Sequence, residues 1–513
     1  MKIVISGAYA TIHPKINPRS KVARELYDVL AFQVPDYEYI QLPYQWDGMY
    51  RFYNRPKSRF KAGLIDMAQY VLKREYGEEV EVVNLRNLGE KVNFRLLSQE
   101  CQLRSYQSST ILESLLAEGG VIEMPTQSGK TLTMLETARR IGRRTLIIVH
   151  TKDLLDQMRR SIKKWYGYSD TEIGQIGAGQ VHFGDFTVAT IQSLRKLIEN
   201  VETDHKIVDY GVGSYKDKTN ISAFKDQIIE YIDTVGTLLV DEGHHIPART
   251  FVEIFDFILG NIKYIFVYSA SPWRDDQQDM HIHAVGGSKI VEISNSYLID
   301  RGYLRQPHVF IVENPEVPDY PNAGSYWQKY DAIATYNGYV NQRLAEILLF
   351  ELDTDNQILV LVAKKEHGYV LREFIKSHLT PQVRFICSDS GKTTNHNNIT
   401  YQVDKRSESL LLFTDRIIRI LIGTSVADEG LAMRCDTVIL AGRGKSGTRS
   451  KQRLGRPQEV YKDPETGKVR TKCYAYIFKD ENRPFNRHFE QTMALIQAEY
   501  AWVIHKDSKY VFT

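Results

Sequence analysis

The chain has 513 residues, of which 42% are hydrophobic and 25% are charged, a composition typical of a globular protein with more than one core. The 66 basic and 63 acidic side chains leave a formal charge of +3, which neither requires nor excludes a nucleic-acid partner. The four cysteines are too scattered for a disulfide framework or a zinc site, and no stretch reaches the roughly 20 apolar residues of a membrane span. We therefore expect a cytoplasmic protein with no membrane partner.

Residues 1–98 are predicted to form a small α+β domain that binds DNA. Helix-like and strand-like stretches alternate here, among them SKVARELYDVLAF, DYEYIQLPY, AGLIDMAQYVLKREYG and EVEVVNL. The run RFYNRPKSRFK has five basic and no acidic residues, with Phe52, Tyr53 and Phe60 between them. Cations neutralise phosphates and exposed aromatic faces stack on bases, although a solvated basic hairpin is the alternative. The residues expected to contact nucleic acid are Arg51, Arg55, Lys57 and Arg59.

From about residue 102 the sequence alternates apolar strands with amphipathic helices, which is typical of a parallel sheet covered on both faces. One series runs from GVIEM to YIFVYSA, and a second runs from QILVLV to KCYAYIF. We expect two α/β lobes, at 99–300 and 301–480, and a helical extension at 481–513. The stretch 201–235 interrupts the first series and is predicted to be a loop-rich insertion.

The strongest local signal is the stretch GVIEMPTQSGKTLTMLETARR, in which a strand, a loop and a helix follow one another. Such a turn aims backbone N–H groups and the positive end of a helix at a polyphosphate. Lys130 would reach the β- and γ-phosphates, and the Thr131 hydroxyl would ligate Mg²⁺. The strict pattern has glycine in place of Met124, so this is a relaxed form. The expected phosphate-loop residues are Pro125, Thr126, Gln127, Ser128, Gly129, Lys130 and Thr131.

The stretch TLLVDEGHHIP supplies two carboxylates. A hydrophobic strand would deliver Asp241 and Glu242 to the carboxyl edge of the sheet, where α/β proteins bind ligands. Asp241 is expected to hold Mg²⁺, and Glu242 is expected to act as the general base on the attacking water. A solvated acidic strand end is the alternative. His244 is expected to link this site to the neighbouring strand. The pair of His244 and His245 would suit a metal, but no further ligand follows at a suitable spacing.

These two stretches together resemble superfamily 2 helicases of the DExH type. Other segments match that family in the family's order, namely LRSYQ, TLIIVHTKDLLDQ, ATIQSL, Ser269-Ala270-Ser271, QILVLVAKKEHG, IGTSVADEGLAMRCDTVILA and QRLGRPQE. The resemblance covers roughly residues 102–480 and rests on the ordered set, because each weaker motif alone is unremarkable. It implies two RecA-like lobes in tandem, with ATP and Mg²⁺ as cofactors and with ATP in the cleft between the lobes.

The resemblance also implies roles for individual residues. The adenine-reading and further nucleotide-binding residues would be Arg104, Gln107 and Gly430. The nucleic-acid contacts would be His150, Thr151, Thr190, Gln192 and Thr424. The residues that couple hydrolysis to movement would be His244, Ser269 and Ser271. The catalytic set would be Lys130, Asp241, Glu242, Gln452, Arg453 and Arg456. Taken singly, a surface amide at Gln107 and a helix cap at Thr190 are the alternatives.

Two positions depart from the family pattern. Glu459 stands where the family carries a second arginine, three residues after Arg456, and Ala432 stands where it carries an aspartate. A carboxylate beside a γ-phosphate would repel it unless the carboxylate turns away or pairs with a cation. Either Arg453 or a nearby basic residue such as Lys451 replaces the missing guanidinium, or hydrolysis is slow.

The N-terminal stretches QWDGMYRFYN and FKAGLIDM resemble the phage UvsW-type helicases, which remodel branched DNA. The implied function is an ATP-dependent DNA helicase or translocase that acts on forks, Holliday junctions and D- or R-loops in recombination, repair and replication. Single-strand-binding or recombination proteins would be further partners. The alternatives are an RNA helicase, the motor subunit of a restriction system, and an ATP-binding nucleic-acid clamp with weak turnover.

Overall fold

The computed structural model describes residues 1–35, 37–39, 46–77, 79–199, 227–260, 262–272, 278–314, 324–388, 391, 393–396, 399–402, 404–424, 434–443, 447–462 and 467–506. Most of the predicted insertion at 201–235 lies outside these residues, as do Gly430 and Ala432. The chain divides into two compact units, Met1–Met124 with Gly129–Glu292 and Pro125–Ser128 with Ile293–Thr513. No helix within the described ranges is long and apolar enough to cross a bilayer.

The first unit begins with a small α+β fold. Its strands are β1 (Lys2–Ser6), β2 (Tyr9–His13), β3 (Ala31–Gln33), β4 (Met49–Arg51), β5 (Arg59–Lys61) and β6 (Glu81–Asn84). Four of them form a sheet in the order β5-β2-β1-β6, and β3 pairs with β4 in a separate ribbon. Every second residue of β1 and β2 is buried, which is the period of a sheet with one covered face. The helices Lys21–Val29 and Ile65–Tyr76 contribute to the same apolar core.

Two expectations for the N-terminal region were wrong. Tyr37–Tyr39, inside the stretch predicted as a strand, is a 3₁₀ turn, and its Tyr37 ring packs directly over Gly48. The second error concerns the aromatic residues of the basic run. Phe52, Tyr53 and Phe60 are 7%, 3% and 0% exposed and belong to the core, so they offer no face to a base.

The N-terminal fold is attached to the lobe that follows it within the first unit. Lys61 forms an ion pair with Asp256, and the Ser288 hydroxyl donates to Asp66. The linker then runs along the lobe, where the Glu90 N–H donates to the Thr234 carbonyl at 2.7 Å. A Cβ on Gly89 would lie 2.2 Å from the Gly236 nitrogen, so the two backbones touch. The domain boundary at residue 98 stays a prediction. Residues 1–98 belong to the same compact unit as the lobe.

The lobe of the first unit is a mostly parallel sheet with helices between its strands. Its strands are β7 (Gly119–Glu123), β8 (Thr145–Val149), β9 (Gly174–Gly177), β10 (Gln180–His182), β11 (Phe186–Thr190), β12 (Thr237–Val240), β13 (Tyr264–Ser269) and β14 (Lys289–Glu292). Their order is β10-β9-β11-β8-β12-β13-β7-β14, and β10 alone of these pairs antiparallel. The helices are Ser105–Ala117, Lys130–Ile141, Lys152–Tyr166, Ile191–Glu199, Arg249–Ile258 and Met280–Gly286. Every residue of β8, β11 and β12 is buried, as expected for strands covered on both faces.

The second unit contains a second parallel sheet. Its strands are β15 (Gln306–Asn314), β16 (Ile358–Leu361), β17 (Val383–Ile386), β20 (Ile420–Gly423), β21 (Thr437–Leu440), β24 (Lys472–Asp480) and β25 (Val503–His505), in the order β17-β20-β16-β21-β24-β15-β25. Two separate hairpins are β18 (Thr393–His396) with β19 (Ile399–Gln402) and β22 (Tyr461–Lys462) with β23 (Val469–Arg470). The helices are Asn295–Asp300, Tyr326–Tyr330, Gly338–Asp353, Lys365–His378, Arg406–Thr414, Gly447–Leu454 and Phe485–Gln497. Two parallel-sheet lobes confirm the predicted fold class.

The C-terminal extension differs from its prediction in one respect. Its helix is present as Phe485–Gln497, but β25 then joins the sheet parallel to β15. His505 stacks on Phe310 with ring centroids 4.4 Å apart, and its Nε2 lies 3.0 Å from Nδ1 of His308. The last strand is three residues long, too short for a period of two to be recognised in the sequence.

A buried ion pair closes the amino edge of the second sheet. Arg305 and Asp436 have side chains 1% and 2% exposed, and their charged atoms lie 2.8 Å apart. The Tyr461 hydroxyl donates to the same carboxylate at 2.5 Å. Burial alone would raise the pKa of Asp436, but the hydrogen bond from Tyr461 and the charge of Arg305 lower it instead.

Replacing Arg305 by alanine is expected to lower the free energy of unfolding by roughly 3–5 kcal/mol, because Asp436 would stay buried without its cation. Urea unfolding followed by tryptophan fluorescence would measure this change. The control is Arg301→Ala, which removes an exposed arginine nearby and should change stability by less than about 0.5 kcal/mol. Equal urea midpoints for Arg305→Ala and the unmodified chain would contradict the expectation.

Candidate nucleotide site and motor motifs

The phosphate loop leaves the sheet beside the strand that carries the coupling motif. β7 pairs with β13, and the Met124 N–H continues the ladder by donating to the Ser269 carbonyl at 3.0 Å. Gly129 has φ +81° and stands immediately before the helix Lys130–Ile141. This left-handed residue turns the chain so that the helix begins with Lys130, and N–H groups at a helix start attract anions. The local structure is therefore the strand, loop and helix that the sequence predicts.

The Lys130 ammonium pairs with the Glu242 carboxylate. Their Nζ and Oε1 atoms lie 3.0 Å apart, and the two side chains are 11% and 18% exposed. Parallel pairing brings the partners together, since β7, β13 and β12 are neighbours whose carboxyl ends share one edge. The pair joins the two strongest sequence motifs through side chains 112 positions apart.

The two adjacent carboxylates have opposite pKa shifts. Burial raises the pKa of Asp241, and the charge of Glu242 raises it further. Burial alone would also raise the pKa of Glu242, but Lys130 and then His244 outweigh it and lower that pKa. Glu242 has φ +50°, a left-handed conformation that costs energy for a residue with a side chain, and its N–H donates to Asp241 Oδ1 at 2.9 Å.

Asp241 and Thr131 fit a magnesium ion by their chemistry. Asp241 is 7% exposed, and a divalent cation would offset the cost of burying its charge. Thr131 lies in the first turn of the helix after the phosphate loop and offers a hydroxyl oxygen. Mg²⁺ commonly takes one or two protein oxygens and completes its shell with phosphate and water.

Gln107 braces the phosphate loop. Its Oε1 accepts the Arg104 N–H at 2.9 Å, which caps the helix Ser105–Ala117, and its Nε2 lies 3.5 Å from the Gly129 carbonyl. The residue is 3% exposed, so the alternative of a surface amide is wrong. Adenine reading by Arg104 and Gln107 stays a prediction.

His244 connects the carboxylates to the coupling motif. Its Nδ1 is 3.4 Å from Glu242 Oε2 and 3.4 Å from the Ser269 hydroxyl. The Ser271 N–H donates to that hydroxyl at 3.2 Å. The structure thus brings His244, Ser269 and Ser271 together, in the arrangement that a link between β12 and β13 requires.

The expected nucleic-acid contacts of this lobe lie at helix starts. Thr151 caps the helix Lys152–Tyr166 by accepting the Leu154 N–H at 3.3 Å. Thr190 plays the corresponding part for Ile191–Glu199, accepting the Ser193 N–H at 3.4 Å. Gln192 is exposed, whereas Thr190 is 6% exposed. The alternative of a helix cap therefore holds for Thr190, and a phosphate contact there stays a prediction.

The basic residues near the N-terminus differ in how far they are already engaged. The Arg51 and Arg55 guanidiniums lie over the Tyr27 ring at 4.5 and 3.8 Å, and Arg51 also pairs with Asp47. The Arg59 guanidinium lies over Tyr9 at 4.2 Å. Lys57 is exposed. The face of each of these guanidiniums packs on a tyrosine ring. The N–H groups at its edge are the groups that would bond to a phosphate.

In the second unit, Glu459 pairs with a cation that the sequence reading missed. Its Oε1 lies 3.3 Å from both Nε and Nη2 of Arg434, and its backbone bridges to Leu304. A carboxylate at this position was expected either to turn away from the γ-phosphate or to pair with a cation, and Glu459 pairs with the Arg434 cation. The only hint in the sequence was an arginine in the segment before β21, 25 positions away.

The remaining predicted residues of the second unit surround the turn Arg456–Gln458. Gln452 and Arg453 lie on the preceding helix Gly447–Leu454, with Arg453 7% exposed and Gln452 partly exposed. Lys451, which was considered as a replacement for the missing second arginine, forms an ion pair with Glu499 at 2.7 Å. Thr424 is 7% exposed at the end of β20. Gly430 lies outside the part of the chain that the structure describes, and the roles of Gln452, Arg453 and Arg456 stay predictions.

Comparisons with known proteins show which proteins this chain resembles. Residues 100–273 match the family model described as "Type III restriction enzyme, res subunit". "DNA 3'-5' translocase XPB2" of Sulfurisphaera tokodaii is 23% identical over 420 residues, which cover 75% of this chain and 84% of that protein. "Putative helicase 22" of a Sulfolobus islandicus filamentous virus is 22% identical over 420 residues, 79% of this chain and 68% of that protein. The crystal structure of T4 UvsW covers 99% of both chains at 16% identity, with a TM-score of 0.42. The predicted resemblance to superfamily 2 helicases is confirmed.

Gly129→Ala is expected to weaken nucleotide binding at least about tenfold, a loss of about 1.4 kcal/mol. The new Cβ would lie 2.4 Å from Gln107 Nε2, so the brace on the phosphate loop would have to move. Titration with a fluorescent ADP analogue would measure the dissociation constant. The control is Gly167→Ala, which has a similar φ of +68° but no atom within 4 Å of the added Cβ. An unchanged constant in Gly129→Ala would contradict the role of the brace.

Proposed function

We propose that this chain, a relative of superfamily 2 helicases, is an ATP-dependent translocase or helicase that acts on branched DNA. The observation that carries the proposal is the ion pair of Lys130 with Glu242, next to the buried Asp241. These side chains supply a phosphate-binding cation, a metal-binding carboxylate and a second carboxylate that can take a proton, which is the chemistry that ATP hydrolysis needs.

In this proposal, the ion pair of Lys130 with Glu242 is the state of the site before a phosphate binds. A bound polyphosphate would compete with Glu242 for the Lys130 ammonium, because charge-assisted bonds to phosphate are strong. Once Lys130 turns to phosphate, the main interaction that lowers the pKa of Glu242 is lost, and burial raises that pKa. Glu242 would then become a better proton acceptor for the attacking water. Asp241 and Thr131 would hold Mg²⁺, which supplies charge neutralisation at the phosphates when bound.

Movement would start from the same carboxylate. His244 contacts both Glu242 and Ser269, so a change in the partner of Glu242 alters what His244 can bond. Ser269 ends β13, and Ser271 follows it two residues later. Hydrolysis would thus change the position of the segment after β13, and repeated cycles would become steps along a strand.

DNA is the nucleic acid that we propose. The name of the relative from Sulfurisphaera tokodaii gives DNA as the molecule on which that protein moves. Lys57, Arg55 and Arg59 would contact backbone phosphates from the N-terminal fold, which is attached to the lobe that holds Lys130. Contacts to the backbone are independent of sequence and suit a motor that passes over any base. A branched substrate would engage this fold and the lobe together.

Two of the matches favour other substrates. The matched family model is named after a subunit of a restriction enzyme. One relative, from a mimivirus, is 25% identical over 393 residues and is named as a putative RNA helicase. A clamp with weak turnover is disfavoured by the intact set of Lys130, Asp241 and Glu242. Substrate preference and turnover therefore have to be measured in one experiment.

The experiment compares the unmodified chain with Lys130→Ala on a panel of substrates. Forks, four-way junctions, R-loops, tailed DNA duplexes and RNA duplexes would be assayed for unwinding and for ATP hydrolysis. We expect the unmodified chain to remodel forks and junctions fastest. Lys130→Ala should keep DNA binding and lose at least roughly 10²-fold in hydrolysis, since it lacks the cation at the phosphates.

The control for that panel is Lys263→Ala, which breaks an ion pair with Glu118 elsewhere in the same lobe. It should hydrolyse ATP at the rate of the unmodified chain. Normal turnover by Lys130→Ala would refute the phosphate-loop assignment. A preference for RNA duplexes would leave the motor intact and overturn the choice of DNA.

We further propose that Arg456 completes catalysis. Arg456→Ala should lower kcat for ATP hydrolysis by roughly 10³-fold, the usual cost of losing an arginine finger. Glu459→Gln should stay within about fivefold, because an exposed ion pair contributes at most about 1 kcal/mol. Glu459→Arg would place two guanidiniums together and should not raise kcat. Full activity in Arg456→Ala would exclude the finger, and faster hydrolysis in Glu459→Arg would show that a missing second arginine limits the rate.

A further inference from the structure

His245 is a side chain to which the family resemblance assigned no role. It belongs to the turn Gly243–His245 that follows Asp241 and Glu242. Its ring contacts two other imidazoles. The centroid of His245 is 3.9 Å from that of His150, with planes 27° apart, and 4.2 Å from that of His244, with planes 39° apart. The His150 and His245 rings are stacked, and the His244 ring is tilted against that of His245, so the three form an imidazole cluster.

The imidazole cluster connects two segments with different expected tasks. His244, at one end, contacts Glu242 and the coupling residue Ser269. His150, at the other end, is the residue between β8 and Thr151, the cap of the next helix. β8 and β12 are paired neighbours, so the two segments leave the sheet side by side. His245 contacts rings of both segments, the one that carries the nucleotide carboxylate and the one expected to bind DNA.

The backbone ties His245 to Glu242 as well. The His245 N–H donates to the Glu242 carbonyl at 3.1 Å, and the Ile246 N–H donates to that of Gly243 at 3.0 Å. This short turn begins at the left-handed Glu242. A rearrangement of Glu242 when its ion pair opens would therefore move the ring of His245. Because interiors are densely packed, a displaced ring displaces the ring stacked on it.

We propose that His245 is a positioning residue that couples the nucleotide state of Glu242 to the DNA-binding segment at His150 through ring stacking. The inference rests on the proposed function and specifies how its two halves communicate. The coupling uses the shape of the ring and needs no proton transfer. A planar aromatic ring at this position should therefore preserve it, and a small side chain should abolish it.

The test compares His245→Ala, His245→Asn and His245→Phe. ATP hydrolysis is measured without DNA and with saturating forked DNA, and DNA affinity is measured with ADP and with a non-hydrolysable ATP analogue. We expect hydrolysis without DNA to stay within about threefold in all three variants, since His245 contacts neither phosphate nor metal in the proposed site. Stimulation by DNA should fall at least tenfold in the alanine and asparagine variants. The ratio of the two DNA affinities should approach one in both.

The phenylalanine variant should keep at least half of the stimulation, and hydrolysis without DNA at the expected rate shows that each variant is folded. His182→Ala is the control, because His182 lies in the same lobe and its ring Nε2 lies 2.8 Å from the Ile173 backbone carbonyl. If His245→Ala does not fold, His245→Asn decides the comparison. Wild-type stimulation in the alanine or asparagine variant overturns the coupling, and so does an equal loss in His245→Phe. Absence of any DNA stimulation in the unmodified chain would refute the proposed function itself.

Discussion

The ion pair of Lys130 and Glu242 is the interaction on which the rest of the site depends. It exists because β7, β13 and β12 are parallel neighbours, so that three segments distant in sequence end at one edge. Two charges buried together stabilise each other only while both remain, and removing either one leaves an uncompensated charge. The pair therefore makes the phosphate loop and the acidic turn respond to each other. A ligand that takes Lys130 must also change the state of Glu242.

The sequence predicts the local structure around Gly129 and Asp241 well because its signals there are local. The strand, loop and helix around Gly129 and the apolar strand before Asp241 each need only a few residues to be recognised. The aromatic residues of the N-terminal run were misread for a physical reason. Composition shows that Phe52 and Phe60 lie among cations, but only packing shows that they point into the core while Arg55 and Arg59 lie over tyrosines. The side on which a ring lies is decided by residues far along the chain.

Glu459 shows what a comparison with a family motif cannot predict. The family pattern has an arginine at this position, so by that pattern alone the chain lacks a cation here. In the structure Glu459 bonds Arg434, and the neighbouring Gln458 accepts the Arg305 N–H at 2.8 Å. The same short segment is thus tied to the amino edge of the second sheet, where Arg305 meets Asp436. A substitution that looks like a loss at one position can be part of a set of contacts whose other members lie more than twenty residues away.

The attachment of the N-terminal fold has a consequence for how the motor can be dissected. Ala284 of the lobe belongs to the apolar core of that fold, and Ala8 of the fold belongs to the core of the lobe. The two cores interlock, with Gly89 against Gly236 and Lys61 on Asp256 between them. Removing residues 1–98 would uncover apolar side chains on the remaining lobe and leave the Asp256 carboxylate without its cation. The N-terminal fold is accordingly packed into the lobe, and loss of activity on its removal would not by itself identify it as a DNA-binding module.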